Sequence, residues 1–186
     1  AECQSQTKCR GQSQSQIKRM KINRHGQAKI LNREEISRLF SEGLTTLRDR
    51  TLFSVCLFTA CRIREAVTLR TGDIYTPAGT VQEEIVIRKA NTKGKLSTRQ
   101  IPVIEDLRII LTAYYPHAGK PYLFPGSHGK HDEHLHSDSG GRILRKALKR
   151  AGIQGASSHS FRRTALTQMH NAGIPLKHIQ EISGHS

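Results

Sequence analysis

Long apolar runs are missing from this chain. No stretch approaches the roughly 18 consecutive apolar residues that a bilayer-spanning helix needs, and the polar start AECQSQTKCRGQSQSQ lacks the apolar core of a signal peptide. The expectation is a soluble, intracellular protein without a membrane partner. Acidic residues are also scarce, 15 Asp and Glu against 30 Lys and Arg, for a formal net charge of +15 over 186 residues. That balance disfavours a role against an acidic protein surface and favours a polyanion such as nucleic acid, without choosing among DNA, RNA and anionic lipid. The four cysteines, Cys3, Cys9, Cys56 and Cys61, show no paired C-x-x-C spacing, which argues against a zinc or disulfide framework. They read as reduced thiols, with Cys56 and Cys61 serving as small hydrophobes in an apolar run. There is no internal repeat.

What is present organises into a tail and one domain of ordinary size. Residues 1–24 are poor in groups to bury, carry a net charge of +5, and read as a flexible basic linker ahead of a folded unit over 25–186. The rest of the chain keeps +10, so the basicity belongs to the folded body as well. Asn32 before Glu34 and Glu35 predicts an N-cap with acids in the first turn. The helix it opens carries Ile36, Leu39 and Phe40 at helical spacing up to a break at Gly43. RDRTLFSVCLFTA is apolar on nearly every face, the pattern of a central buried helix, and RIREAVTLRTGDI is expected to continue helically to its TGD punctuation. EEIVIRKANTKGKLSTRQIPV alternates around a glycine and predicts a β-hairpin turning at NTKGK.

EDLRIILTAYYP predicts a helix stopping at Pro116, and residues 117–140, rich in Pro, Gly, His and Ser, predict an irregular exposed connection. The next segment places Ile143, Leu144, Ala147 and Leu148 on one helix face and Arg142, Arg145, Lys146, Lys149 and Arg150 around the other. This basic helix, 142–150, is the candidate DNA-binding surface. Helices over 159–171 and 175–182 complete the reading.

Residues three apart on a helix share a face, with Cβ atoms about 5–6 Å apart, so His159 and Arg162 are expected to point together, as are Arg62 and Glu65. Arg62 emerges directly from the apolar SVCLFTAC, where an unpaired charge would cost several kcal/mol. It therefore needs a carboxylate or a phosphate, and Glu65 can orient it while leaving part of its fork open. Two arginines and a histidine converging on one spot would clamp a phosphodiester, because guanidinium offers bidentate donors and stays charged. The same clamp stabilises charge that builds in a phosphoryl-transfer transition state. Spacing alone favours ordinary surface residues, since polar pairs three apart are common. The histidines of HGKHDEHLH, His128, His131, His134 and His136, read as an exposed insertion and not a zinc site, since a flexible loop lacks the partners that fix a ligand imidazole. No metal or other cofactor is expected.

The fragments TACRIREAVTLRTGDI, NTKGKLSTRQIPV, HSFRRTALTQMHNAGI and IQEISGHS, in that order, resemble the catalytic domain of the tyrosine recombinases, the phage integrase family, over residues 30–186. The resemblance implies a predominantly helical α+β fold with a small antiparallel β-sheet. It implies DNA strand cleavage and rejoining by transesterification through a 3′-phosphotyrosyl intermediate, without ATP or metal. In that reading Arg62 and Arg162 hold the scissile phosphate, and His159 bonds it and accepts the nucleophile's proton. His185 adds a further donor and Glu65 orients the site. Lys93 in the hairpin turn is the implied general acid for the departing 5′ oxygen, with Lys95 the competing choice. The implied partner is double-stranded DNA, bound by a homotetramer on paired sites in the full-length protein, while the fragment alone is compatible with a monomer. The implied location is cytoplasmic, with the DNA of the nucleoid.

The family's nucleophile is a tyrosine shortly beyond the second histidine, and this sequence ends at Ser186, one residue past His185. Tyr75, Tyr114, Tyr115 and Tyr122 all precede the H-x-x-R segment, so none matches that position. The expectation is a piece that binds DNA without recombining it and that also lacks the family's N-terminal helical domain. Arg163 stands where many relatives have a histidine, a departure expected to alter a backbone contact and not the chemistry. The rival readings are a non-catalytic DNA-binding module and a type IB topoisomerase-like enzyme.

Overall fold

The computed structural model describes residues 27–88, 90, 98–126 and 132–184. The expected linker over 1–24, the hairpin lysines Lys93 and Lys95, the loop histidines His128 and His131, and His185 lie outside the described residues. Helices α1 (Arg33–Arg38), α2 (Leu47–Phe58), α3 (Ile63–Val67), α4 (Glu105–Tyr114), α5 (Ser137–Arg150), α6 (Ser158–Asn171) and α7 (Leu176–Ser183) surround a two-stranded sheet of β1 (Glu84–Ile87) and β2 (Arg99–Pro102). Among the described residues no helix is long and apolar enough to cross a membrane.

The helix starts follow from their caps. The Asn32 side chain accepts the Glu35 N–H at 2.8 Å while the Glu35 carboxylate accepts the Asn32 N–H at 3.2 Å, so each residue satisfies an otherwise orphan donor of the other. α1 runs into a π-helical turn, Leu39–Gly43. A Cβ on Gly43 would lie 2.8 Å from the Ala147 carbonyl oxygen, so only glycine lets α5 sit this close. Apolar all round, α2 lies at the centre, buried from Thr51 to Leu57 and packed against α4 and α6. Phe53 stacks on Phe161 with ring centroids 5.2 Å apart, fixing α6 to α2. Cys56 and Cys61 are free thiols in this core. The hydrogen bond that the Cys56 thiol donates to Cys61, and then burial, hold Cys56 well above its ordinary pKa and keep it protonated.

The two predicted strands pair antiparallel, with Ile87 opposite Arg99 and Ile85 opposite Ile101, while the predicted turn at NTKGK lies outside the described residues. Ile85, Ile87 and Ile101 turn inward, as a sheet covered on one face requires.

Three expectations need correction. RIREAVTLRTGDI is not one helix: α2 ends at Phe58, Ala60 takes a positive φ of 52°, and Arg62 is extended (φ −77°, ψ 150°) as the N-cap of the short α3. A left-handed residue cannot continue a right-handed helix, and the Thr59 hydroxyl closes the last turn of α2 onto the Val55 carbonyl at 2.6 Å. The stretch 117–140 is not wholly exposed, because Leu123, Phe124 and Leu135 are buried. The Leu123 N–H donates to Leu69 O at 2.9 Å and the Leu135 N–H to Phe124 O at 2.8 Å; three apolar anchors thus strap this Pro- and Gly-rich segment to the core. α5 also starts earlier than predicted, at Ser137, where the His136 ring accepts the Asp138 N–H at 3.3 Å.

Candidate active site

Arg62 and Glu65 do meet, but not as neighbours on a helix face. Because Arg62 is the N-cap of α3 and Glu65 its third residue, the Glu65 carboxylate reaches back to the Arg62 N–H at 2.8 Å and to Arg62 Nη1 at 3.2 Å. Spacing of three serves a capping box as well as a helix face, which is why the pairing was legible for a partly mistaken reason. Glu65 is 1% exposed, whereas the Arg62 side chain keeps 27% of its surface open. The carboxylate is therefore interior, and the guanidinium it orients reaches the surface.

The second arginine comes from α6. Ser157 caps this helix, its N–H donating to the Ser160 hydroxyl at 3.0 Å. His159 lies exposed in the first turn and Arg162, one turn on, points inward at 6% exposure. Arg162 Nη1 donates to Ala60 O and Nη2 to Ser183 O, both at 2.7 Å. One side chain thereby joins the α2–α3 turn, the catalytic-candidate helix and the end of α7. Burial, then the nearby Arg62 charge, push the Arg162 pKa down to about 10, with Glu65 opposing and Arg99 adding to the depression. At neutral pH it remains a cation that burial disfavours.

Arg99 was missed by sequence reasoning. It begins β2 with a side chain 6% exposed, its Nη2 3.0 Å from Glu65 Oε2 and its Nη1 donating to Ile182 O at 2.6 Å. The missed signal is parity: Arg99 shares the inward face of the strand with Ile101, where a charge demands a buried partner. Glu65 thus stands among Arg62, Arg99 and Arg162, and the site carries more positive than negative charge. At α7 the terminal carbonyls of Ile182 and Ser183 accept from two different guanidiniums, a cationic cap at the negative end of a helix. Gly184 follows in the left-handed conformation and leads to His185, beyond the described residues.

Arg142, Arg145, Lys146, Lys149 and Arg150 are all exposed on α5. Arg142 donates to the Ser139 hydroxyl at 2.9 Å, and Arg150 Nε to Gly43 O at 2.8 Å. Arg163 Nη1 donates to Ala28 O at 2.8 Å, while the Leu31 N–H donates to the Thr164 hydroxyl at 2.9 Å. The segment 28–31 is thus bound to α6 beside Arg162. Among the loop histidines, His134 engages Leu135 O at 2.9 Å and packs edge-on against Tyr122.

The sequence model of the phage integrase family matches residues 29–186. The chain is 30% identical over 162 residues to a tyrosine recombinase of Thermosipho africanus, covering 84% of this chain and 53% of the relative. It is 29% identical over 161 residues to the tyrosine recombinase XerA of Pyrococcus furiosus, covering 85% and 54%. The chain therefore spans about half the length of the curated relatives it matches. Among solved structures, XerA recombinase superposes with a TM-score of 0.69 at 24% identity, over 84% of this chain and 56% of that one. An integrase of the Tn1549 transposon, solved with transposon right-end DNA, gives a TM-score of 0.70 at 18% identity, over 87% and 59%. These likenesses establish the fold as predominantly helical with a small antiparallel sheet.

Proposed function

The chain belongs to the phage integrase family, and on that premise we propose that it is the catalytic domain of a site-specific DNA recombinase that grips one phosphodiester between Arg62, Arg162 and His159. The observation that carries this reading is a buried glutamate paired with Arg62 and Arg99, with the α6 arginine near enough to feel the charges of both Glu65 and Arg62. Glu65 orients Arg62 and pairs with Arg99, the Ala60 and Ser183 carbonyls hold Arg162, and among the described residues the site keeps a surplus of positive charge for an anion. A phosphate supplies that anion, and its extra charge in the transition state is met by donors already in place.

In this reading His159, exposed at the first turn of α6, bonds a non-bridging oxygen or takes the proton of the attacking hydroxyl. A lysine of the hairpin turn, Lys93 or Lys95, protonates the departing 5′ oxygen, and His185 joins the phosphate donors. The nucleophile is a tyrosine carried beyond residue 186 of the parent chain, whose attack would store the phosphodiester's energy as a 3′-phosphotyrosyl bond. Double-stranded DNA docks along the basic face of α5, and the parent protein works as a tetramer on paired sites.

The test is covalent capture. The parent chain, extended past Ser186 and given a nicked suicide duplex, is expected to form a protein–DNA adduct that migrates as one species on a denaturing gel. Arg62→Ala and Arg162→Ala are each expected to abolish it; undiminished adduct in both variants would overturn the site assignment.

A further inference from the structure

We infer that Arg99 is a positioning residue for strand cleavage, tying the turn end of the hairpin to the α7 terminus and to the buried carboxylate that orients the Arg62 guanidinium. The inference rests on the phosphate-cleavage reading above. Arg99 is 7% exposed and meets both the carboxylate that orients Arg62 and the last turn of α7. Through Glu65 Oε2 at 3.0 Å it shares the carboxylate that orients Arg62. Through Ile182 O at 2.6 Å it holds the last turn of α7, two residues before Gly184. A Cβ on Gly184 would come within 3.0 Å of Arg99 Cδ and 3.1 Å of its Nε. Gly184 therefore passes directly over this side chain.

The hairpin is clamped on both strands at the end that leads into its turn. At the end of β1, Arg88 Nε donates to Asp73 at 2.9 Å, and Asp73, 2% exposed, also accepts the Arg70 N–H at 3.1 Å. At the start of β2, Arg99 meets Glu65, which likewise accepts the Arg62 N–H at 2.8 Å. Each strand thus meets, at its turn end, a buried carboxylate already fixed by a backbone amide. Arg88 is half-exposed, with 50% of its side chain open, whereas Arg99 is interior and reaches two further parts of the site.

The Arg99 fork is used for reach and not for saturation. Its Nε has no hydrogen-bond partner among the described residues, and Nη2 meets Glu65 as an ion pair outside hydrogen-bond alignment. An unmet buried donor is a cost that a residue serving only packing would not impose. A lysine at this place has one point-like ammonium and cannot serve Glu65 and Ile182 together as the planar fork does.

The experiment measures single-turnover cleavage of the suicide duplex at saturating DNA by the parent chain, with Kd titrated separately and folding followed by circular dichroism at the assay temperature. Arg99→Met is expected to slow cleavage by about 10- to 100-fold, the scale of a misplacement near 1 Å, with Kd unchanged. Arg99→Lys, which keeps the charge and supports the test if the methionine variant does not fold, is expected to fall between it and the parent. The Arg99→Met, Glu65→Gln double variant is expected to be no slower than the slower single variant, because both cut the same strut. Parental cleavage rates in folded Arg99 variants, or losses that multiply in the double variant, would overturn the inference. Normal cleavage by Arg162→Ala would instead bring down the phosphate reading itself, whereas a dead Arg162→Ala beside a normal Arg99→Met would remove only the role of Arg99.

Discussion

Arginine does opposite work in two regions of this molecule. Around Glu65 the guanidiniums of Arg99 and Arg162 are interior and committed to named oxygens of Ala60, Glu65, Ile182 and Ser183. On α5 the side chains of Arg145, Lys146 and Lys149 are exposed, with no side-chain hydrogen bond or ion pair among the described residues. The interior group gains geometry and loses solvation; the helix face keeps its solvation and has no fixed geometry. The first suits holding one phosphate in one orientation, the second suits holding many phosphates loosely. Charge count alone, as read from a sequence, merges the two.

The sharpest way to break the comparison is Arg162→Ala. Besides loss of the adduct, removal of its donors leaves Ala60 O and Ser183 O to find other partners. Stability should fall by about 1–3 kcal/mol, the scale of a buried polar group left unpaired, read as a lower midpoint in urea. An unchanged midpoint would mean that the interior arginine is as dispensable to the fold as a surface one.

Next in size is the combined change Arg145→Ala, Lys146→Ala and Lys149→Ala. DNA affinity should weaken, and the slope of log K against log salt should shrink by about 0.9 for each phosphate that the protein no longer neutralises, while the thermal midpoint stays put. A preserved slope would remove the α5 face from the docking surface.

A smaller effect separates the regions by anion. The Arg162 pKa in the fold, about 10, lies below its ordinary value. Both states are protonated at pH 7, so the cost of burying the charge is fully present there and is relieved only as pH rises through about 10. An anion at the site relieves the same cost at neutral pH. Sulfate should raise the melting temperature above that in chloride at matched ionic strength, by the equivalent of about 1.4 kcal/mol at ten times its Kd. The increment should vanish in Arg162→Ala and persist in the α5 triple variant.

The sequence made this contrast partly legible. Arg62 and Glu65 were legible as a pair because a local cap is written in neighbouring residues, whereas His159 and Arg162 drew their weight from the family resemblance and not from spacing alone. The central helix was legible because α2 is apolar on every side, and the hairpin because its strands alternate. Arg99 was not, since its partners are Glu65 on another element and Ile182, 83 residues away, and only the finished fold brings them within reach. The strap over 117–140 was disguised for a related reason: three buried side chains outweigh a composition that otherwise suits solvent.

Ala60 has one more consequence, for what variation this joint can absorb. Its φ of 52° favours glycine, since an L-residue in the left-handed region costs roughly 1–2 kcal/mol, yet the residue is completely buried and its carbonyl is held by Arg162. Ala60→Gly relieves the torsion while loosening the unfolded chain, so the two terms nearly cancel and the melting temperature should scarcely move. Asparagine accepts the torsion but not the space, and valine accepts neither. In a saturation library scored for folding, position 60 should therefore accept little beyond alanine and glycine, a two-letter alphabet beside the buried Arg162.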